Sequence, residues 1–114
     1  MGAPILVPAT LIRGELRGEP LDFLFMEVEG QSMEPILLSG DRVLIDRRKT
    51  NPTQAGLFAM YDGFGLVAKW VERVPKSEPP SLRIKSENER FSDYDVLVEE
   101  ARIIGRIVWD ARKL

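Results

Sequence analysis

The sequence predicts a mostly β domain with one or two short helices, and three observations carry that prediction. Residues 22–29 alternate, with Leu24, Met26 and Val28 on one face and Phe23, Phe25 and Glu27 on the other, as in a strand with an apolar inner face. Asp62-Gly63 between two apolar runs signals a hairpin, because a two-residue turn of the mirror-image type needs positive φ at both positions. The run Arg102-Ile103-Ile104-Gly105-Arg106-Ile107-Val108-Trp109 is β-branched and aromatic, and it reads as a final strand. At 114 residues the chain suggests one domain that buries its own core. We expect an N-terminal arm over 1–8 and a single domain over 9–114.

Taken in order, residues 1–8 are apolar and punctuated by Pro4 and Pro8, which suits an extended arm or edge strand because proline cannot donate to a ladder. Over 9–17, Leu11, Ile12 and Leu16 share one side at helical spacing, and Gly18 and Pro20 stop the run; we read a short helix, weakened by Gly14. The strand over 22–29 runs into a bend, Gly30-Gln31-Ser32-Met33-Glu34-Pro35, closed by Gly40-Asp41. Residues 42–46 read as a buried strand, 50–54 as a loop, and 57–61 as the first arm of the hairpin. The return strand is expected over 64–74, ended by Pro75, with a loop over 77–80, a short strand over 82–85 and a polar segment over 86–95.

Composition excludes several chemistries. There is no cysteine, hence no disulfide framework, thiol nucleophile or thiolate metal site. There is no histidine, which removes Ser-His-Asp and Cys-His catalysis and the commonest transition-metal ligand. We expect no metal and no cofactor. The net charge of -2 gives no overall basic footprint for nucleic acid, and the bunched Arg47-Arg48-Lys49 reads as a solvated loop. No run is long enough to cross a bilayer and no signal-peptide pattern opens the chain, so a cytoplasmic location is expected.

A hydrolase with this composition, working near neutral pH, needs a carboxylate or a lysine of lowered pKa as its base. Ser32 sits in a glycine-preceded bend between two strands, where a nucleophile would be exposed. Lys69 stands two residues from Val67 and two from Val71, so on a strand the three share one apolar face. Desolvation there lowers a lysine pKa, and a neutral amine can take a proton from a serine hydroxyl. Gly30 would let a substrate backbone come close, and backbone amides at Ser32 and its neighbour could hold an oxyanion. Residue type and spacing equally allow Ser32 to N-cap a turn starting at Met33 and Lys69 to reach the sheet edge and stay charged, the commoner uses of such residues.

The ordered set Val28-Glu29-Gly30-Gln31-Ser32-Met33-Glu34-Pro35, Gly40-Asp41-Arg42-Val43-Leu44-Ile45-Asp46, Gly56-Leu57, Lys69, Ser86-Glu87-Asn88-Glu89-Arg90-Phe91 and Ile104-Gly105-Arg106-Ile107-Val108-Trp109 resembles the C-terminal domain of LexA-like and phage repressor-like proteins. These are Ser-Lys self-cleaving peptidases that share a folded β-ribbon with signal peptidases. The resemblance runs from about Val7 to the end. It implies Ser32 as nucleophile, Lys69 as general base, and the amides of Gln31 and Ser32 as oxyanion hole. It also implies that Met33 and Pro35 shape the bend, which contains a helical turn after the nucleophile, and that Gly40 and Asp41 close it. Many relatives carry aspartate where this chain has Gln31; a position that contributes only its amide tolerates the change.

The resemblance further implies a homodimer paired through residues 102–110, the chain's own upstream segment as substrate, operator DNA bound only through an N-terminal domain outside this sequence, and a RecA-type co-protease filament as inducing partner in an SOS response. The only Ala-Gly, the bond such proteins often cleave, is Ala55-Gly56 at the hairpin entry, and it reads as structural. The leading expectation is the regulatory domain of a phage repressor-type transcription regulator. The alternatives are a catalytically silent dimerisation module and a UmuD-like processed subunit of an error-prone DNA polymerase. A membrane signal peptidase is disfavoured by the lack of an anchor and of an apolar insertion loop.

Overall fold

A computed structural model describes residues 9–111. The expected arm over 1–8 lies outside the described residues, as do 112–114. The strands are β1 (Phe23–Glu27), β2 (Arg42–Asp46), β3 (Gly56–Tyr61), β4 (Leu66–Arg73), β5 (Ser81–Lys85), β6 (Tyr94–Leu97) and β7 (Ile103–Ala111). They form one antiparallel sheet in the order β1-β2-β7-β3-β4-β5-β6. The mostly β expectation therefore holds. No described helix is long and apolar enough to cross a membrane.

Side-chain alternation divides the core between two clusters. Along β3, Ala59 packs with Met26, Val28, Met33, Leu37, Val43, Ile45 and Ala68, whereas Phe58 and Met60 pack with Val71, Leu82 and Ile84. Leu24 faces the first group beside Ile45, yet it is 39% exposed, because β1 is an edge strand and no described strand lies beyond it. Phe23, on the opposite face, is buried instead under the Arg48 guanidinium, 5.3 Å from the ring centroid.

The short helix appears where expected, over Thr10–Glu15, but it is wound as a π-helix: Leu16 N–H donates to the Leu11 carbonyl at 2.8 Å. Arg17 then takes a positive φ of 51° and ends it. The hairpin differs by one residue from its expected form. Asp62 N–H donates to the Gly65 carbonyl, so the two turn residues are Gly63 and Phe64, and of these only Gly63 has positive φ (97°). Asp62 flanks the turn, and its carboxylate accepts the N–H groups of Phe64 and Gly65 at 2.8 and 2.9 Å. These bonds hold the Asp62 carboxyl below its ordinary pKa. Residues 86–95 contain the start of a strand that the polar sequence hides. β6 is a short edge strand whose one charged residue locks it to β5 through Arg83–Asp95 at 3.1 Å.

Arg47-Arg48-Lys49 is more than a solvated loop. Asp46, fully buried at the end of β2, accepts from the Arg48 backbone N–H and Nε at 3.0 Å each and from Nη2 at 2.9 Å. The same guanidinium donates to the carbonyls of Leu16 and Arg17 at 2.9 Å, fastening the N-terminal helix to the sheet. Burial pushes the Asp46 carboxyl up, but the hydrogen bonds and charge of Arg48, with Lys49, together hold it below the ordinary carboxylate range.

Two outcomes follow for stability. Phe58→Ala, at a wholly buried position, should cost about 3–5 kcal/mol in chemical denaturation. Asp46→Asn should lower Tm near neutral pH. Because the native carboxyl titrates below the unfolded one, that deficit should shrink as acid protonates the wild-type group through its native pKa. A deficit that stays constant down to low pH would rule out the ionised pair as its source.

Candidate functional site

The connection from β1 to β2 carries the serine bend, and backbone bonds close it at both ends. Val28 N–H donates to the Asp41 carbonyl at 2.7 Å and Gly40 N–H to the Val28 carbonyl at 2.8 Å. Gly30 and Gly40 take φ of 79° and 94°, values that side-chain-bearing residues adopt at a cost. Leu37 N–H reaches the Met33 carbonyl at 2.9 Å, closing one helical turn after Ser32, and the Glu34–Pro35 peptide within it is cis. Met33 and Leu37 are both 2% exposed and anchor the bend in the core, while Pro35 lies at the surface. Buried Asp41 accepts the Leu38 N–H on its carboxylate at 2.9 Å. Gly30, Met33, Pro35, Gly40 and Asp41 thus shape and close the bend, and none of them brings a reactive group to it.

Ser32 is half-buried, and among the described residues its hydroxyl makes no hydrogen bond. Helix capping is therefore not its use here. The amide N–H groups of Gln31, Ser32 and Met33 likewise have no partner among the described residues. Three donors beside one unengaged hydroxyl leave a place where an oxyanion could be held.

Lys69 lies on β4 between Val67 and buried Val71, opposite Phe58 of β3. Desolvation lowers its pKa, and the Asp62 carboxylate offsets this in part. Its Nζ donates to Ser86 Oγ at 2.7 Å and lies 5.8 Å from the Phe91 ring centroid. No hydrogen bond joins Lys69 to Ser32 among the described residues.

What connects the lysine to the serine bend is the segment 86–91. Ser86 holds the amine. Glu87 N–H meets Met33 Sδ at 3.4 Å, and the Glu87 carboxylate accepts Trp70 Nε1–H at 2.7 Å. Asn88 donates its backbone N–H to the Ser32 carbonyl and its Nδ2–H to the Gln31 carbonyl, both at 2.9 Å. The sequence singled out Ser86 and Asn88 only as parts of a motif. Nothing local in it shows that they bridge β4 and the bend. Ala55 and Gly56 stand at the start of β3, with Gly56 paired to Val71 and covered by the Arg106 guanidinium.

Comparison with known proteins identifies a family and a relative. A family model described as Peptidase S24-like matches residues 7–108. The chain is 28% identical over 98 residues to the HTH-type transcriptional regulator PrtR of Pseudomonas aeruginosa, an alignment that covers 80% of this chain and 37% of that protein. The chain therefore spans little more than a third of the length of the curated relative it matches.

A lysine whose ammonium is disfavoured by burial binds its proton less tightly in the native than in the unfolded chain. Stability then rises with pH between the lowered native pKa and the ordinary lysine value. Lys69→Met should raise Tm near neutral pH, and the gain should fade toward pH ~10. A gain that grows with pH in a calorimetric series would contradict the buried-amine reading.

Proposed function

We propose that this chain, which belongs to the Peptidase S24-like family, is the C-terminal regulatory domain of a repressor-type transcription regulator, and that it carries a latent Ser-Lys self-cleavage site. The carrying observation is the half-buried Lys69 amine, of lowered pKa, held on a segment that is itself pinned to the Ser32 bend. In this reading neutral Lys69 takes the Ser32 hydroxyl proton while the oxygen bonds to the carbonyl carbon of a peptide in the chain's own upstream region. The carbonyl electron pair moves to oxygen, facing the amides of Gln31 and Ser32. Collapse breaks the C–N bond, the leaving amine takes the proton from the Lys69 ammonium, and water then hydrolyses the acyl-serine.

In the resting site the amine must turn from Ser86 toward Ser32, or serve both, since a neutral amine can donate to one hydroxyl and accept from another. The transcriptional regulator PrtR, whose length exceeds this chain's match, supports a larger protein that meets operator DNA through a separate domain. Where a RecA-type filament acts on it, its role would be to favour that turn.

A dimerisation role is supported by β7. Its residues from Ile107 to Ala111 pair with β2 alone, and no described strand pairs with their other edge. That edge, which includes half-buried Ile107, Val108 and Trp109, could pair with the same edge of a second copy. Pairing through this half of the predicted 102–110 suits a two-fold dimer, because Ile103, Gly105 and Arg106 already pair with β3. A catalytically silent dimerisation module would use the same edge.

Incubating the full-length protein, with its native upstream region, at rising pH separates the two. Self-cleavage should accelerate as Lys69 loses its proton and level off below the ordinary lysine pKa. Ser32→Ala and Lys69→Ala should each slow it by at least about a thousandfold. Cleavage that survives both substitutions, or none at any pH, would leave only the dimerisation role.

A further inference from the structure

We infer that Asn88 is a positioning residue: its side chain aims the Ser32 backbone amide at the oxygen of the carbonyl under attack. The inference rests on the peptidase reading above and assigns the part of the fold that presets its oxyanion site.

Asn88 grips two consecutive carbonyls. Its backbone N–H donates to Ser32 O and its Nδ2–H to Gln31 O, each at 2.9 Å. The side chain is not free to rotate, because its Oδ1 accepts the Arg90 N–H at 3.1 Å, and the Asn88 carbonyl accepts the Phe91 N–H at 3.0 Å. These partners also fix which amide atom is which, since Oδ1 must face a donor and Nδ2 an acceptor.

A trans peptide unit is planar, with its C=O and N–H pointing in opposite directions. Both peptide units here are trans. Holding the Gln31 carbonyl therefore sends the Ser32 N–H away from Asn88, and holding the Ser32 carbonyl does the same for the Met33 N–H. Both N–H groups are without a partner among the described residues. Donors of this kind stabilise developing charge most when their direction is set before the reaction. The same segment holds the Lys69 amine through Ser86, so one short stretch of chain orients both the base and the amides. Of the two amides assigned to the oxyanion, the Asn88 side chain aims that of Ser32; the Gln31 amide belongs to the preceding peptide unit, whose carbonyl Asn88 does not hold.

The test has two arms. In the first, residual dipolar couplings of backbone N–H vectors are compared between the wild-type chain, Asn88→Ala and Asn88→Asp. The aspartate keeps the side chain's shape and its bond from Arg90, but it sets an oxygen against the Gln31 carbonyl. The coupling of Ser32 should change in both variants while that of Met33, whose peptide unit is held by the Asn88 backbone N–H, and those of β2, β4 and β7 stay fixed. An unchanged coupling at Ser32 would overturn the inference.

In the second arm, self-cleavage of the full-length protein is followed against pH. Asn88→Ala should lower the plateau rate about tenfold to a hundredfold and leave the midpoint where Lys69 sets it. A purely structural role would lower Tm and leave the plateau of the folded fraction intact, and that result would overturn the inference, as would a wild-type plateau with altered couplings. Wild-type protein that never cleaves defeats the peptidase reading instead, and the Ser32 coupling alone then decides whether Asn88 directs that amide.

Discussion

The last strand, β7, lies between β2 and β3, and the arrangement of the site depends on that insertion. Ser32 belongs to the half of the sheet made of β1, β2 and their connection; Lys69 belongs to the half that runs from β3 to β6. In the strand order, β7 is the link between them, and Arg106 pairs with Asp46 on one side and Phe58 on the other. The crossing is tight. A side chain at Gly105 would collide with the Asp46 carbonyl and the Ile45 side chain, so the strand can sit there only because that position has no Cβ. Asp46, next to this crossing, is buried and ionised, and Arg48 satisfies it while reaching back to the N-terminal helix. The join between the two halves is thus fixed by backbone pairing and a missing side chain, while the charged clasp ties the N-terminal helix to β2.

On that frame the site shows a division of labour. The bend is rigid because Met33 and Leu37 are anchored in the core and its ends are tied by backbone bonds. The lysine is tuned by where β4 places it: Val67, Val71 and Phe58 around its stem exclude water and disfavour charge, while Asp62 pulls modestly the other way. The segment 86–91 spans the distance between the two. It gives the amine a hydroxyl to rest on and the bend a partner for its carbonyls. In the proposed peptidase, a base held on Ser86 would be ready without being engaged with Ser32.

Much of this was legible in the chain. Every strand except β6 stood out by alternation or β-branched composition, since those patterns are the direct imprint of one buried face. β6 was hidden because it is only four residues long, too short for an alternation to stand out, and it begins inside a polar run. The hairpin turn was shifted by one residue because Asp62 found a use for its carboxylate as an acceptor for the following amides, leaving Gly63 and Phe64 to turn. Arg48 looked like part of a solvated basic run, because nothing local says that Asp46 beside it would be buried without water and need that guanidinium.

The serine bend, the lysine on an apolar strand face and the absence of histidine and cysteine were settled by the sequence alone. Each is a matter of residue identity or of a repeat only a few residues long. Which hydroxyl the lysine touches, and what holds the serine's backbone, was decided by the tertiary structure. Ser86 lies 17 residues from Lys69 and Asn88 lies 57 from Gln31, separations that carry no periodic signal. Such contacts exist only once β7 has drawn the two halves into one sheet and the 86–91 segment has come to rest across the bend.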